Sequence, residues 1–296
     1  MGKKKHGDRT RGLQPVGLQR RSKDRVACGL CGVVDRMSRT HVPPQCAGNR
    51  DIVARSTLVS KDQVARQGHA LNGGLYVYGL CAACNGLQSR YDRAYGELAT
   101  ALRGLWARSW LVRLPNMPSL PAADIRPGAV ARSVLIGFFG VNPKLRELFP
   151  QLAASLIARD QAIILPRQMR LRLALARGPS ARLGGPVGGM FLFGPRMNDR
   201  PLGFNNFAHL YFPPLAWQLT ADEPSLLDVQ RWAEVSEWLT RGADDVAALT
   251  ALCPTLPVVA HPLHHPSQAE HWVEMFSGEI TEIFEARGLP ADLLHG

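Results

Sequence analysis

The chain has 296 residues, 46% hydrophobic and 20% charged, an ordinary globular composition with room for roughly two domains. Its longest strongly apolar run, Ser133 to Phe139, is too short to span a bilayer, and the basic N-terminus has no apolar segment behind it. The expectation is a cytoplasmic chain with neither a secretory signal nor a membrane partner.

The net charge of +11 is unevenly spread. Residues 1–113 hold 20 Lys+Arg against 7 Asp+Glu, whereas residues 114–296 hold 15 against 17. The positive field belongs to the N-terminal third and extends past the tail, which points to a polyanionic partner, nucleic acid.

In chain order, residues 1–25 are basic and aperiodic and predict a disordered tail. Residues 26–113 form a Cys-rich module with a following helix. That helix is read from Leu87, Tyr91, Tyr95, Leu98, Leu102 and Leu105, which recur every three or four residues. Arg90, Arg93, Glu97 and Arg103 lie mostly off the stripe. The prolines of residues 114–126 predict a linker. Residues 127–296 read as an α+β domain of open role. Helices are expected in "GAVARSVLIGFFG", "PKLRELFPQLAASLIARD" and "SLLDVQRWAEVSEWLTRG". Strands are expected in "QMRLRLALAR", "GMFLFG", "FAHLYF" and "TLPVVAHPL". "LGGPVGG", residues 183–189, lacks the Lys-Ser/Thr of a phosphate loop and reads as a flexible connector.

Six cysteines are present, and four form the pairs "CGLC" and "CAAC". In a reducing compartment, paired CxxC motifs indicate zinc rather than disulfides. Two intervening residues fold both sulfurs toward one point, and two such pairs close a tetrahedral four-thiolate site. Cys28, Cys31, Cys81 and Cys84 are therefore the expected structural zinc ligands. Cys46 and Cys253 have no partner at ligand spacing and read as ordinary thiols. His261, His264, His265 and His271 are interleaved with prolines and read as a surface loop rather than a metal site.

The combination "CGLC…RTHVPP…CAACN…SRYDRAY" resembles the zinc-containing branch of the HNH endonucleases, members of the His-Me finger superfamily. The resemblance covers about residues 26–100. It implies an N-terminal zinc-bound ββα module, His-Me finger or treble-clef-like, ahead of the C-terminal α+β domain. It implies His41 as general base, Pro43 and Pro44 as the loop that follows, and Asn85 as a ligand of a catalytic Mg²⁺ or Mn²⁺. Ser89, Tyr91 and Asp92 fit the family's helix start. The family's central Asn is Asn72 or Asn49. Asn72 is preferred because it precedes the strand leading to Cys81. The implied activity is metal-dependent hydrolysis of phosphodiester bonds in DNA.

Residue types alone support that chemistry. An imidazole is an effective base near neutral pH, and a hard divalent cation takes oxygen ligands such as the Asn85 carbonyl. The sequence departs from the family at position 40, where Thr40 replaces the usual acidic metal ligand. Asp92, Asp35 and Asp51 are candidate substitutes. Thr40 also supports an alternative reading, a zinc-stabilised nucleic-acid-binding protein without cleavage.

Overall fold

The structure, a computed structural model, describes residues 25–50, 55–57, 66–67, 73–111, 119–177, 181–184, 187–191, 202–221, 232–259 and 272–274. Residues 1–24 of the expected tail, Asn72, Asp51 and the four C-terminal histidines lie outside the described residues, and Arg25, its last residue, is in a strand.

Strands β1 (Arg25–Ala27) and β2 (Val34–Arg36) pair antiparallel around the first Cys knuckle. Strand β3 (Ser38–His41) follows, then a 3-10 turn over Gln45–Ala47. Short strands β4 (Arg55–Thr57) and β5 (Arg66–Gln67) come next. Strand β6 (Tyr76–Leu80) returns antiparallel to β3, with His41 opposite Tyr76 and Thr40 opposite Val77. The chain turns at Cys81 into helix α1 (Ala82–Leu111). The expected apolar stripe of this helix is its buried face: Leu98 and Leu102 are wholly buried, and Arg90, Arg93, Glu97 and Arg103 are exposed.

Strand β7 (Asp124–Ile125) leads into helix α2 (Pro127–Val141). Every residue of α2 is buried, as expected of a helix that is apolar all round. Its one charge, Arg132, donates to the carbonyls of Gly128, Asp160, Gln161 and Arg241, so the buried guanidinium is spread over four acceptors. Gly79 of β6 lies so close to α2 that a side chain there would run into the Gly140 carbonyl.

The expected helix over 143–160 is two helices, α3 (Lys144–Leu148) and α4 (Pro150–Ala158). Pro150 opens the second, as proline does at a first helical turn. Strand β8 (Met169–Ala176) is the expected alternating strand, with Met169, Leu171, Leu173 and Leu175 wholly buried. It belongs to a ten-stranded sheet with β9 (Arg182–Gly184), β10 (Val187–Phe191), β11 (Leu202–Phe212) and β12 (Leu215–Ala221). Over its described residues, 183–184 and 187–189, the "LGGPVGG" stretch is strand, not connector. Their Gly backbone pairs with β11, Leu183 with Leu210 and Gly189 with Phe204.

The helix expected at 225–242 is also corrected over its described part. Strand β13 (Ala233–Glu234) pairs with β8, and a 3-10 turn spans Ser236–Thr240. Neighbouring β8 takes the backbone bonds that a helix would need. Val235 N donates to Leu171 O, and Leu171 N donates to the Ser236 hydroxyl. Strand β14 (Ala247–Ala248) pairs with β7, helix α5 (Leu249–Leu252) follows, β15 (Val258–Val259) runs parallel to β8, and β16 (Trp272–Glu274) parallel to β4.

The architecture is mixed α+β. One cluster of buried residues runs from Cys28 through α1 and α2 to Leu256. Tyr95 of α1 meets Trp217 of β12 at 6.2 Å between ring centres, and Trp217 meets Trp238 at the same distance. Among the described residues, no helix is long and apolar enough to cross a membrane.

Candidate metal centre and active site

The two Cys knuckles converge. The Sγ atoms of Cys28, Cys31, Cys81 and Cys84 all lie within 4.8 Å of one another. Four thiolates on a tetrahedral zinc ion, each at about 2.3 Å, stand roughly 3.8 Å apart. The Cys31 and Cys81 sulfurs are 3.7 Å apart. The local backbone explains the convergence. Gly32 adopts a left-handed φ of 78°, which lets its N–H turn back to the Cys28 carbonyl at 3.0 Å. The Cys81 N–H donates to Cys28 Sγ at 3.3 Å. Cys81 also caps α1, its carbonyl accepting from Asn85 N at 2.9 Å.

The sulfurs titrate together. A hydrogen bond from Cys84 holds the Cys28 thiol far down, at about 4, against the opposing effect of burial. The same bond, with burial, pushes Cys84 up. Four sulfurs this close are the donor set of a soft cation that would take all four as thiolates. The four cysteines could hold a metal ion such as zinc. Cys46 and Cys253 stand apart from them. Cys46 Sγ donates to the Asp92 carbonyl and Cys253 Sγ to the Thr255 carbonyl, each at 3.0 Å.

His41 sits at the end of β3, half-buried, before a cis Val42–Pro43 peptide. Its Nε2 is 3.0 Å from the Gly73 carbonyl oxygen. A carbonyl only accepts, so Nε2 carries the proton in the neutral ring, and the lone pair is left on Nδ1. Burial lowers the His41 pKa below its usual 6.5, the Gly73 bond raises it, and the Arg39 charge lowers it; the net direction is down. The ring is thus neutral at pH 7, with Nδ1 able to accept a proton.

Asn85, three residues into α1, reaches the same strand. Its Nδ2 points to the Arg39 carbonyl at 3.4 Å, which turns Oδ1 away from that carbonyl. Ser89 Oγ donates to the Asn85 carbonyl within the helix. β3 and the start of α1 therefore bring His41 and Asn85 to one locality, beside the cysteine cluster through Cys84.

The loop after His41 is clamped by Asn49, which is 1% exposed. Its Nδ2 donates to Pro43 O at 2.5 Å and to Leu75 O at 2.8 Å, and its Oδ1 accepts from Leu75 N at 2.5 Å. The amide of Asn49 thereby links the His41 loop to the segment entering β6. Asn49 follows Gly48, a left-handed turn residue with φ 94°; Asn72, the Asn preferred in the sequence, lies outside the described residues.

Two of the three candidate acids, Asp92 and Asp35, have other partners. Asp92 faces α2, accepting from Ser133 Oγ at 3.1 Å, and burial raises its pKa to about 6. Asp35 lies in β2, its carboxylate bonded to Arg36 N at 2.7 Å. Thr40 is wholly buried, its hydroxyl 3.5 Å from the Ser38 carbonyl.

Sequence reasoning missed the outward face of the β3–β6 pair. Tyr76 and Tyr78 alternate along β6, with ring centres 5.6 Å apart, and Arg39 lies over Tyr76 at 3.9 Å. The signal was present as the period-two "YVY" after Gly73-Gly74.

No protein-family model, curated protein or solved structure matches the chain.

Proposed function

We propose that this protein is a metal-dependent endonuclease of the HNH type that hydrolyses phosphodiester bonds in DNA, with zinc held by Cys28, Cys31, Cys81 and Cys84. The observation that carries the reading is the hydrogen bond of His41. Its Nε2 lies 3.0 Å from Gly73 O, a bond that leaves the Nδ1 lone pair as the base. Asn85 is tied to the same strand, and Asn49 fixes the intervening loop.

In this reading His41 Nδ1 takes a proton from water, whose oxygen attacks phosphorus. The bond to the leaving sugar oxygen breaks, and solvent supplies that oxygen with a proton. The Gly73 carbonyl holds the imidazolium that forms. Asn85 Oδ1 would hold the Mg²⁺ or Mn²⁺ ion. Such an ion supplies Lewis acidity to the phosphate and leaving oxygen. Held by Cys28, Cys31, Cys81 and Cys84, zinc would tie the first knuckle to the turn that starts α1 and would take no part in the reaction. Arg39 and Arg90, both exposed, add to the positive field that attracts the phosphate backbone.

The test is nicking of a supercoiled plasmid with Mg²⁺ or Mn²⁺. Wild type is expected to cut, and His41→Ala to lose about 10²–10⁴-fold in rate with zinc content unchanged. Cleavage that persists at full rate in His41→Ala sinks the assignment.

A second reading has its own observation. Thr40 offers a buried hydroxyl where the resemblance implies an acid, and Asp92 is engaged by Ser133. A zinc-stabilised nucleic-acid-binding protein without cleavage fits these two facts. It is chosen if wild type binds DNA and cuts neither DNA nor RNA with either metal.

A further inference from the structure

The outward face of the antiparallel β3–β6 pair carries Arg39, His41, Tyr76 and Tyr78. Its inward face carries Thr40, Val42, Val77 and Leu80, all buried. Tyr76 is the centre of the four outward residues, and Tyr78 is also packed against the core. Tyr76 meets Tyr78 edge-on at 5.6 Å, His41 meets Tyr76 at 5.9 Å, and the Arg39 guanidinium lies over the Tyr76 ring at 3.9 Å. The three rings are half-buried and Arg39 is exposed. Cross-strand aromatic pairs stabilise sheets, and that alone would explain two tyrosines. It does not explain why the pair adjoins the candidate base, nor why an arginine plane extends it to solvent.

Aromatic faces and guanidinium planes are what unpaired bases stack on, in any sequence. A paired duplex offers phosphates to such a surface but keeps its base faces inside the stack. The N-terminal third supplies the positive field that a phosphate strand needs. Resting on the nucleic-acid reading above, we infer that this face is a stacking platform and that the preferred substrate is single-stranded. Bases set on Tyr76, Tyr78 and Arg39 would place their own backbone beside His41.

The test reads binding to the full-length protein, without added divalent metal so that no strand is cut. Fluorescence anisotropy compares a labelled single-stranded DNA oligonucleotide, the duplex of the same sequence, and the same strand with abasic sites. The single strand is expected to bind about tenfold more tightly than either other probe. Tyr76→Leu and Tyr78→Leu should each weaken single-strand binding by about tenfold and leave duplex binding within about twofold, while Tyr76→Phe and Tyr78→Phe retain it. The proposal is overturned if the abasic strand or the duplex binds as tightly as the single strand. It is equally overturned if the Leu variants change the melting temperature and not the affinity. The abasic comparison uses wild type alone, so a Leu variant that fails to fold does not remove the test. Base-dependent binding without metal-dependent cleavage supports the platform and removes the nuclease; plasmid cleavage with base-independent binding does the reverse.

Discussion

The Asn49 side chain and the Leu75 backbone exchange two hydrogen bonds, Nδ2 to Leu75 O at 2.8 Å and Leu75 N to Oδ1 at 2.5 Å. This is a strand-like pairing made by a side chain, and the third bond, to Pro43 O, joins the His41 loop to it. Leu75 O keeps another donor, Val42 N at 3.2 Å. In Asn49→Ala the groups left buried and unpaired are therefore Leu75 N and Pro43 O. The expected cost is about 2–4 kcal/mol, measured by denaturant unfolding. Asn49→Asp should be no milder, since it sets a carboxylate oxygen against two carbonyls. If catalysis depends on this clamp, Asn49→Ala lowers cleavage more than Asn72→Ala; the reverse order of activities would restore Asn72 as the central Asn.

The parts of the fold that were legible in the sequence are those governed by periodicity and ligand chemistry. The stripe from Leu87 to Leu105 can be satisfied by only one helix face, and the alternation at the start of β8 sets its inward face, although Ala174 and Ala176 are buried on the other face as well. The four cysteines were legible because CxxC geometry is local. What failed was set by partners distant in sequence. The helical spacing around Trp238 is overridden by bonds to Leu171, some 65 residues earlier. Gly184, Gly188 and Gly189 look like part of a connector until β11 pairs with them. The bond between His41 and Gly73 spans 32 residues, and no local pattern announces it. Asp92 falls on the helix face two turns beyond Asn85, but helical period does not tell which neighbour that face meets; Ser133 of α2 decides it.

The cysteine cluster predicts one metal per chain. Elemental analysis of the purified protein should give about one equivalent of zinc, and Cys81→Ser should lose most of it. Cys81 touches two partners at once, its N–H on Cys28 Sγ and its carbonyl at the start of α1. Metal removal by a chelator should therefore lower the melting temperature as well as activity, because it frees the first knuckle from the helix. Cys46→Ser, which removes a thiol outside the cluster, should keep full zinc. Zinc retained in Cys81→Ser with an unchanged melting temperature would remove the four-thiolate assignment.

The Gly73–His41 bond gives a pH prediction. A base must be unprotonated, so cleavage falls as pH drops through the His41 pKa. Burial and the Arg39 charge set that pKa below 6.5, and the acid limb of the rate profile should lie there. Arg39→Met removes one of the two depressing causes and should move the limb upward, toward 6.5. The readout is single-turnover cleavage against pH at saturating Mn²⁺. Asn85→Ala should leave the limb in place and instead raise the metal concentration needed, since it alters the cation's ligand and not the base. A limb that moves with Asn85→Ala and not with Arg39→Met would assign the titration to another group.

Asp92 gives the opposite sign, in stability. Burial raises its pKa from 3.8 to about 6, while the Ser133 hydroxyl opposes that shift. A carboxyl with a raised folded pKa favours the folded state when protonated. Its contribution is fully present below 3.8 and is lost as pH rises through about 6. At pH 7 and above, the charged form is held half-buried between α1 and α2. Asp92→Asn keeps an acceptor for Ser133 Oγ and removes that charge. It should stabilise the protein by about 1–2 kcal/mol at pH 7.5, less than the full shift implies because the side chain retains some solvent. The gain should shrink on titration through pH 6 and vanish near pH 4, as read from urea unfolding at each pH. The same variant tests whether Asp92 substitutes for the missing acid at position 40. A stable Asp92→Asn that cuts DNA at the wild-type rate leaves the carboxylate a buried neighbour of Ser133. One that is stable and inactive, with activity recovered by raised Mn²⁺, would move Asp92 into the cation site.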